Sequence, residues 1–147
     1  MKKLPNFKLK LINGKEIKSS ELKKTILFFY PKALTSGCTK EVCDFQSNLN
    51  KLKKIGFQII GASKDPLKKN IIFAEKNKID YFLASDEADA CEKLGIWNQK
   101  SMFGIKYFGI DRTTIIIDSE GKVFKFWKKV KVSRHVKEVL EVAKKCP

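Results

Sequence analysis

Two cysteines stand five positions apart in the stretch FFYPKALTSGCTKEVCDF, residues 28–45. At this spacing, Cys38 and Cys43 could form a disulfide, supply half of a metal site, act as a catalytic pair or pack as small core residues. Cysteines in a reducing compartment are rarely structural crosslinks, so the close pair indicates redox or metal chemistry first. A zinc site is the weaker alternative, because zinc ligands usually stand about two to four residues apart and the single histidine, His135, lies far along the chain.

The predicted position of Cys38 suits a nucleophile. The apolar run TILFFY, residues 25–30, predicts a buried strand, and apolar residues at spacings of three and four then predict a helix over about residues 38–54. The first turn of a helix carries unpaired N–H groups and the positive end of the helix dipole, which favour a thiolate over a thiol. Thr35, three residues earlier, can offer its hydroxyl to the same sulfur.

The predicted helix also separates the two thiols. Five helical residues correspond to a rise of about 7.5 Å, which leaves the Cα atoms of Cys38 and Cys43 roughly 8–9 Å apart. A disulfide needs a Cα separation below about 7 Å, so the pair can bond only after the first helical turns unwind. We therefore predict a redox couple that is separate when reduced and joined after local unfolding. The spacing disfavours a general disulfide reductase of the thioredoxin type, whose cysteines stand about three positions apart.

The rest of the chain predicts further strands around this segment. Alternation of apolar and polar residues over 6–18, centred on Asn13-Gly14, predicts an N-terminal hairpin. A second hairpin is predicted around residues 119–121, and two more buried strands over 57–63 and 79–85.

Helices are predicted between and after these strands. One is expected with Pro66 in its first turn, a short one over residues 86–95, and a last one from Ser133 onward. The residues predicted to face the core from the first and last of these helices are Leu67, Ile71 and Ala74, and Val136, Leu140 and Ala143. Strands and helices that alternate in this way predict an α/β layer structure.

The composition fits one globular domain, residues 1–147. The chain is 43% hydrophobic and 32% charged, and no apolar run approaches the roughly 20 residues of a membrane span. The N-terminal lysines are followed by polar residues rather than by the apolar core of a signal peptide. We therefore expect a cytoplasmic protein without membrane contacts.

The formal net charge of +15 suggests nucleic-acid binding as an alternative. Only two of the 31 basic residues are arginines, Arg112 and Arg134, whereas arginine is the residue that reads bases and grips phosphates through paired hydrogen bonds. The lysines are spread along the chain without an aromatic-rich basic motif. We expect non-specific attraction to polyanions at low salt, but no specific nucleic-acid partner.

The segment YPKALTSGCTKEVCDF resembles the active-site segment of the peroxiredoxins, through the pattern Pro-x-x-x-Thr-x-x-Cys formed by Pro31, Thr35 and Cys38. With Cys43 five residues later, it is similar to the PrxQ subfamily, also called bacterioferritin comigratory protein. The likeness continues through much of the chain, including LGIWNQKSMFGIKYFGIDRTTIIIDSEGKV, residues 94–123. It implies a thioredoxin-like fold, in which helices flank a central mixed β-sheet, and thiol-dependent reduction of hydroperoxides without a cofactor or metal.

The resemblance also implies a role for each site residue. Cys38 would attack the peroxide as a thiolate and become a sulfenic acid, while Arg112 would keep the sulfur ionised and polarise the peroxide. Thr35 would hydrogen-bond the thiolate and the peroxide, and Pro31 would shield the pocket. Cys43 would then form an intramolecular disulfide with Cys38, which thioredoxin or a similar dithiol would reduce. The implied enzyme is a monomer.

Some residues depart from the subfamily pattern or lie outside it. Ala33-Leu34 and Ser36 stand where the subfamily commonly has Asp-Asn and proline, a change that could alter the polarity of the pocket entrance. Glu41 matches a subfamily glutamate and is left without a role. Cys91 is predicted to be packed, and Cys146 to be exposed. Trp97 and Phe103 are predicted to pack near the rim of the site, with Phe103 and Phe108 as candidate contacts for an alkyl hydroperoxide.

Two hypotheses of different class remain open. The first is a peroxidase that uses Cys38 and Cys43. The second is a non-enzymatic basic module whose redox pair regulates binding to a polyanion. Peroxide-dependent disulfide formation with turnover would support the first, and redox-switched, salt-sensitive nucleic-acid binding without turnover would support the second.

Overall fold

A computed structural model describes residues 3–147; residues 1 and 2, which open the predicted domain 1–147, lie outside the described residues. The strands are β1 Lys8–Leu11, β2 Glu16–Lys18, β3 Thr25–Phe29, β4 Gln58–Ser63, β5 Phe82–Ser85, β6 Trp97–Met102, β7 Ile105–Ile110, β8 Thr113–Ile117 and β9 Val123–Lys128. The α-helices are α1 Ser36–Ser47, α2 Leu49–Lys54, α3 Leu67–Lys76, α4 Ala90–Lys93 and α5 His135–Ala143. In the described part of the chain, no helix is long and apolar enough to cross a bilayer.

Seven strands form one mixed sheet in the order β2-β1-β5-β4-β3-β8-β9. The central pairs β3–β4 and β4–β5 are parallel, and the remaining pairs are antiparallel. Parallel neighbours need a crossover connection, which α1 with α2 and then α3 supply. Both predicted hairpins are confirmed, as β1–β2 and β8–β9.

Strand β3 is buried on both faces and divides the core in two. Ile26 and Phe28 point to the cluster beneath α1, α2, α3 and α5, whereas Leu27 and Phe29 point to the cluster beneath α4. Successive side chains of a strand point to opposite faces, so a strand covered on both sides is apolar on both, as β3 is from Ile26 to Phe29. This explains the unbroken apolar run that predicted the strand.

The helix predicted over residues 38–54 begins earlier and is interrupted. It starts at Ser36 and divides into α1 and α2 at Asn48. The Asn48 side-chain amide donates to the carbonyl of Asp44 at 2.9 Å, and asparagine side chains that bond the backbone in this way compete with regular helical hydrogen bonds. Of the other predicted helices, α3 begins at Leu67 with Pro66 just before it, α4 covers only Ala90–Lys93 of the predicted 86–95, and α5 begins at His135, two residues later than predicted.

The inner face of α3 is not the one predicted. Ala74 is buried as expected, but Leu67 and Ile71 are only half-buried, and Asn70 and Phe73 take the inner positions. Asn70 tolerates complete burial because its amide donates to three oxygens of β4 and β5 at 2.9–3.1 Å. In α5, all three residues predicted to face the core are buried.

Strands β6 and β7 form a separate antiparallel ribbon that the sequence pattern did not predict. Its turn is Phe103-Gly104, where both residues have positive φ. Phe103 is 97% exposed, so the prediction that it packs at the rim of the site is wrong: it occupies the tip of the turn, where there is nothing to pack against. Trp97, at the base of the ribbon, is half-buried and stacks on Phe108 with ring centroids 6.2 Å apart.

Candidate active site

Cys38 is the third residue of α1, which confirms its predicted place in the first helical turn. Thr35 precedes the helix in an extended conformation, and its side chain makes no capping hydrogen bond. The Thr35 side chain therefore does not occupy the N–H groups of the first turn, where the positive end of the helix dipole lies. The thiol itself is only 1% exposed and belongs to the core cluster beneath the helices.

Sheet register brings Arg112 to this thiol. Strands β3 and β8 pair antiparallel with Phe29 opposite Thr113, so the residues after β3 and the residue before β8 lie at the same edge of the sheet. The Arg112 Nη2 donates to the Sγ of Cys38 at 3.3 Å, and the Nη1 donates to Glu41 at 2.7 Å. Although burial opposes the charge, the neighbouring Glu41 and Cys38 raise the pKa of Arg112. The guanidinium is thus a fixed cation beside the sulfur.

Glu41 lies one helical turn after Cys38, on the same face of α1. Its side chain is 0% exposed and pairs with Arg112 through Oε1, while its Oε2 has no hydrogen-bond partner among the described residues. Burial raises the pKa of Glu41 to about 7, with the Arg112 charge opposing the rise. The two fixed contacts of Arg112 leave its guanidinium little freedom to rotate away from the thiol.

Thr35 is near Cys38 in the chain, but its hydroxyl does not bond the sulfur as expected. The hydroxyl donates to the carbonyl of Lys32 at 2.8 Å, and the Thr35 carbonyl accepts from the amide of Thr39 at 2.9 Å. A hydroxyl has one proton, so the Lys32 bond uses it and leaves the oxygen of Thr35 as an acceptor. The Thr35 hydroxyl bonds Lys32 instead of Cys38 because the turn before α1 brings the Lys32 carbonyl back toward the start of the helix.

Pro31 and Arg112 line an open cavity of about 550 Å³. Besides Arg112, its charged wall residues are Lys100, Lys128 and Lys129 and one carboxylate, Asp111, so the wall carries a net positive charge. Cys38 is not on this wall, but Arg112, whose guanidinium contacts the Cys38 Sγ, is. A small molecule that enters here meets the arginine first.

The loop between β3 and α1 is held by Asp65. Its carboxylate accepts from the backbone amide of Ala33 at 2.7 Å and from the Ser63 hydroxyl at 2.7 Å. Within this loop Leu34 has a φ of +67°, a left-handed conformation that is costly for a side chain branched beyond Cβ. The anchored loop fixes where α1 begins, and therefore where Cys38 lies.

Cys43 is further along α1 and is half-buried. Its Sγ lies 3.8 Å from the Oδ1 of Asn77, and burial, together with the charge of Asp44, raises the pKa of the Cys43 thiol. Both Cys38 and Cys43 are free thiols in this structure, and both are helical, as the predicted reduced state requires.

The other two cysteines are buried outside this site. Cys91 is 0% exposed, as predicted, and burial raises the pKa of its thiol. Cys146 was expected to be exposed, and that expectation is wrong: it is 9% exposed and packs on the core cluster beneath α5. The turn after α5 directs it inward, with the Cys146 amide donating to the Ala143 carbonyl at 3.1 Å.

The site is built from a thiol, a guanidinium and a buried carboxylate. Within residues 3–147, no group of three or more histidine, cysteine, aspartate or glutamate side chains is arranged to hold a metal ion. A thiol held against a fixed cation at a helix N-terminus is poised to attack an electrophile whose leaving atom becomes negative. Glu41 is the site residue to which the sequence analysis assigned no role. Its position three residues after Cys38 predicts that both lie on one helix face, and this spacing could have placed Glu41 in the site.

Comparisons with known proteins agree with this geometry. Residues 1–126 match the AhpC/TSA family. Peroxiredoxin Bcp of Bacillus subtilis is 40% identical over 145 residues, covering 97% of this chain and 92% of that protein. Peroxiredoxin Bcp of Escherichia coli is 37% identical over 139 residues, covering 92% of this chain and 89% of that protein.

A solved structure of the bacterioferritin comigratory protein of Xanthomonas campestris, studied for its alkyl peroxide reduction, is similar across most of the chain. It superposes with a TM-score of 0.88 at 32% identity, covering 95% of this chain and 90% of that chain. This likeness confirms the predicted thioredoxin-like fold and the predicted subfamily resemblance.

Proposed function

The chain belongs to the AhpC/TSA family as a peroxiredoxin, and from this membership we propose that Cys38 and Cys43 carry out its thiol-dependent peroxidase reaction. The observation that carries the assignment is the 3.3 Å contact between the Nη2 of Arg112 and the Sγ of Cys38 at the start of α1. Of the four free thiols, Cys38 is the one that an arginine contacts at a helix N-terminus.

In the first step the Cys38 thiolate attacks the terminal oxygen of a hydroperoxide. An S–O bond forms, the O–O bond breaks, and the departing oxygen leaves as an alcohol or water once it is protonated. Arg112 stabilises the negative charge that develops on that oxygen, because it is cationic and already oriented by Glu41. The oxygen of Thr35, with its proton donated to Lys32, can accept the O–H of the peroxide and align it. Pro31 shields the cavity wall beside Arg112.

In the second step Cys43 resolves the Cys38 sulfenic acid. The Cys43 sulfur attacks the Cys38 sulfur, an S–S bond forms, and the S–O bond breaks to release water. Because both cysteines are helical here, this step requires α1 to unwind between them. A dithiol then reduces the disulfide by thiol exchange, and thioredoxin or a similar protein fits this role.

The proposal extends to substrates and setting. Both hydrogen peroxide and organic hydroperoxides are expected substrates, because the open cavity beside Arg112 leaves room for an alkyl group. We propose a monomer that acts in the cytoplasm, where a reducing environment returns the disulfide to two thiols.

Intact mass spectrometry of the reduced protein before and after one equivalent of hydrogen peroxide tests the assignment. We expect rapid loss of two hydrogens, which peptide mapping places between Cys38 and Cys43. Cys38→Ser should abolish turnover, while Cys43→Ser should consume one equivalent and stop as a sulfenic acid that dimedone traps. Cys91→Ser is the matched control and should behave as the wild type, because Cys91 is buried away from Arg112.

Steady turnover by Cys38→Ser would overturn the assignment. Slow oxidation scattered over Cys91 and Cys146 would also overturn it, because it would mean that Arg112 does not activate Cys38. In that case the basic-module hypothesis is tested next, by salt-dependent binding of the reduced and oxidised protein to a DNA duplex of random sequence.

A further inference from the structure

Two side-chain contacts attach the middle of α1 to the segment between α3 and β5, residues 77–81. The hydroxyl of Tyr81 donates to the backbone carbonyl of Val42 at 2.7 Å. Four residues along the helix, the Gln46 amide donates to the Asp80 carboxylate at 2.9 Å, and the Asp80 amide donates back to Gln46 at 2.8 Å. These contacts lie on either side of Cys43, so the same stretch of helix that carries the resolving thiol is fixed to its neighbour.

The two contacts differ in their relation to the disulfide proposed above. Val42 lies inside the ring that a bond between Cys38 and Cys43 would close, whereas Gln46 lies three residues beyond it. Closing that ring requires non-helical backbone between the cysteines, which turns the Val42 carbonyl away from its helical direction. The Gln46 side chain stands outside the ring and can keep its bonds to Asp80.

The Tyr81 hydroxyl cannot follow the carbonyl when the helix unwinds. Tyr81 is 7% exposed, its ring makes an edge contact with Phe28 at a centroid distance of 6.1 Å, and Phe28 is itself fully buried. A ring fixed in a packed core keeps its hydroxyl in one place. The bond from Tyr81 to Val42 is therefore present in the helical state and lost in the unwound state.

We propose that Tyr81 is a positioning residue that restrains the unwinding of α1 and thereby slows the resolution of the Cys38 sulfenic acid. This inference rests on the proposed function, in which resolution needs the helix to open. A hydrogen bond made only in the helical state stabilises that state. The free energy of this bond therefore adds to the free energy needed to unwind α1. The Gln46–Asp80 pair has a different role, because it holds the fixed end from which the helix opens.

The restraint has a chemical consequence for the sulfenic acid. While α1 stays helical, the Cys38 sulfenic acid cannot reach Cys43 and remains open to a second hydroperoxide. That second molecule transfers one oxygen to the sulfur, giving a sulfinic acid and releasing an alcohol or water. Tyr81 therefore sets how the sulfenic acid is divided between the reversible disulfide and irreversible overoxidation.

Tyr81→Phe removes the hydroxyl while keeping the ring. The Val42 carbonyl retains the intrahelical bond that residue 46 donates in an α-helix, so the variant leaves no buried acceptor unpaired. One neutral hydrogen bond lost from the helical state should speed disulfide formation by about 2- to 10-fold. Gln46→Ala is the matched control, since it removes a contact to the same segment from outside the ring.

Rapid acid quench, thiol alkylation and mass spectrometry would follow sulfenic acid and disulfide separately. In Tyr81→Phe we expect an unchanged peroxide-dependent first phase, a faster peroxide-independent second phase and less sulfinic acid at high peroxide. Amide hydrogen exchange of the reduced variant should also be faster across residues 38–42, a readout independent of turnover. Gln46→Ala should leave the second phase unchanged.

An unchanged or slower second phase in Tyr81→Phe would refute the inference, as would equal acceleration in Tyr81→Phe and Gln46→Ala, which would indicate general loosening. If the wild type shows both phases and Tyr81→Phe matches it, only the role of Tyr81 fails. If the wild type shows no peroxide-dependent phase, the proposed function fails and this inference fails with it.

Discussion

Replacing Glu41 with glutamine should make the stability of the protein less dependent on pH. Glu41 is fully buried, and burial raises its pKa from 4.5 to about 7. A group whose pKa is higher in the folded state contributes most to stability below its unfolded pKa, and that contribution is lost as the pH rises through the folded value. The wild type should therefore lose stability between about pH 4.5 and pH 7, and Glu41→Gln should not show this loss.

The size of the effect follows from the same pKa. A tenfold change in proton affinity corresponds to about 1.36 kcal/mol, so raising the pKa from 4.5 to about 7 is worth about 3 kcal/mol when the carboxyl is fully ionised. Glutamine keeps an oxygen that can accept from the Nη1 of Arg112, as Oε1 does now. The stability of Glu41→Gln relative to the wild type should thus increase by about 3 kcal/mol between about pH 4.5 and pH 8.

Urea unfolding of both reduced proteins at several pH values measures this difference directly. Glu120→Gln is the matched control, because Glu120 is highly exposed at the β8–β9 turn and its replacement should shift stability by a constant small amount. Parallel stability curves for Glu41→Gln and the wild type would refute the reasoning. They would mean that attraction to Arg112 offsets the burial of the Glu41 charge completely.

Three further predictions concern the conformation and burial of single residues. Leu34→Asn should raise the free energy of unfolding by about 1 kcal/mol, because Leu34 holds a φ of +67° while 41% exposed and asparagine tolerates that conformation; a lower urea midpoint would contradict this. Gly61→Ala should destabilise the fold by about 1–3 kcal/mol, since its Cβ would lie 2.5 Å from the buried Phe28 ring; unchanged thermal unfolding would show that the ring can move aside. In native reduced protein, iodoacetamide should label the half-buried Cys43 faster than Cys91, which is fully buried and whose pKa burial raises; mass mapping that finds Cys91 labelled equally fast would contradict its burial.

The sheet and most helices could be predicted from the sequence because their patterns are simple. β3 is apolar from Ile26 to Phe29 since both of its faces are covered, and the two predicted hairpins have glycine in their turns. The ribbon of β6 and β7 has no such pattern. It packs on the domain mainly at its base, so its strands are largely exposed and carry no alternation that a core would impose.

The site was predictable only in part, for a related reason. Cys38 and Thr35 belong to a local motif, and their place at the helix start follows from neighbouring residues. The contact between Arg112 and Cys38 was expected from the family resemblance alone, because it spans 74 residues and depends on strand register, which a local pattern does not specify. The inward turn of Cys146 was missed because the lysines beside it indicate an exposed segment, although the backbone after α5 directs the thiol to the core.

On the proposed function, the pairing of Phe29 with Thr113 sets the stage of synthesis at which Cys38 gains its arginine. Arg112 lies late in the chain, and it meets Cys38 only after β8 has joined the sheet beside β3. Until then a growing chain carries Cys38 without its cation, as an ordinary thiol that reacts slowly with peroxide. If Cys38 is the nucleophile that we propose, it therefore meets its activating cation only in the event that completes the sheet.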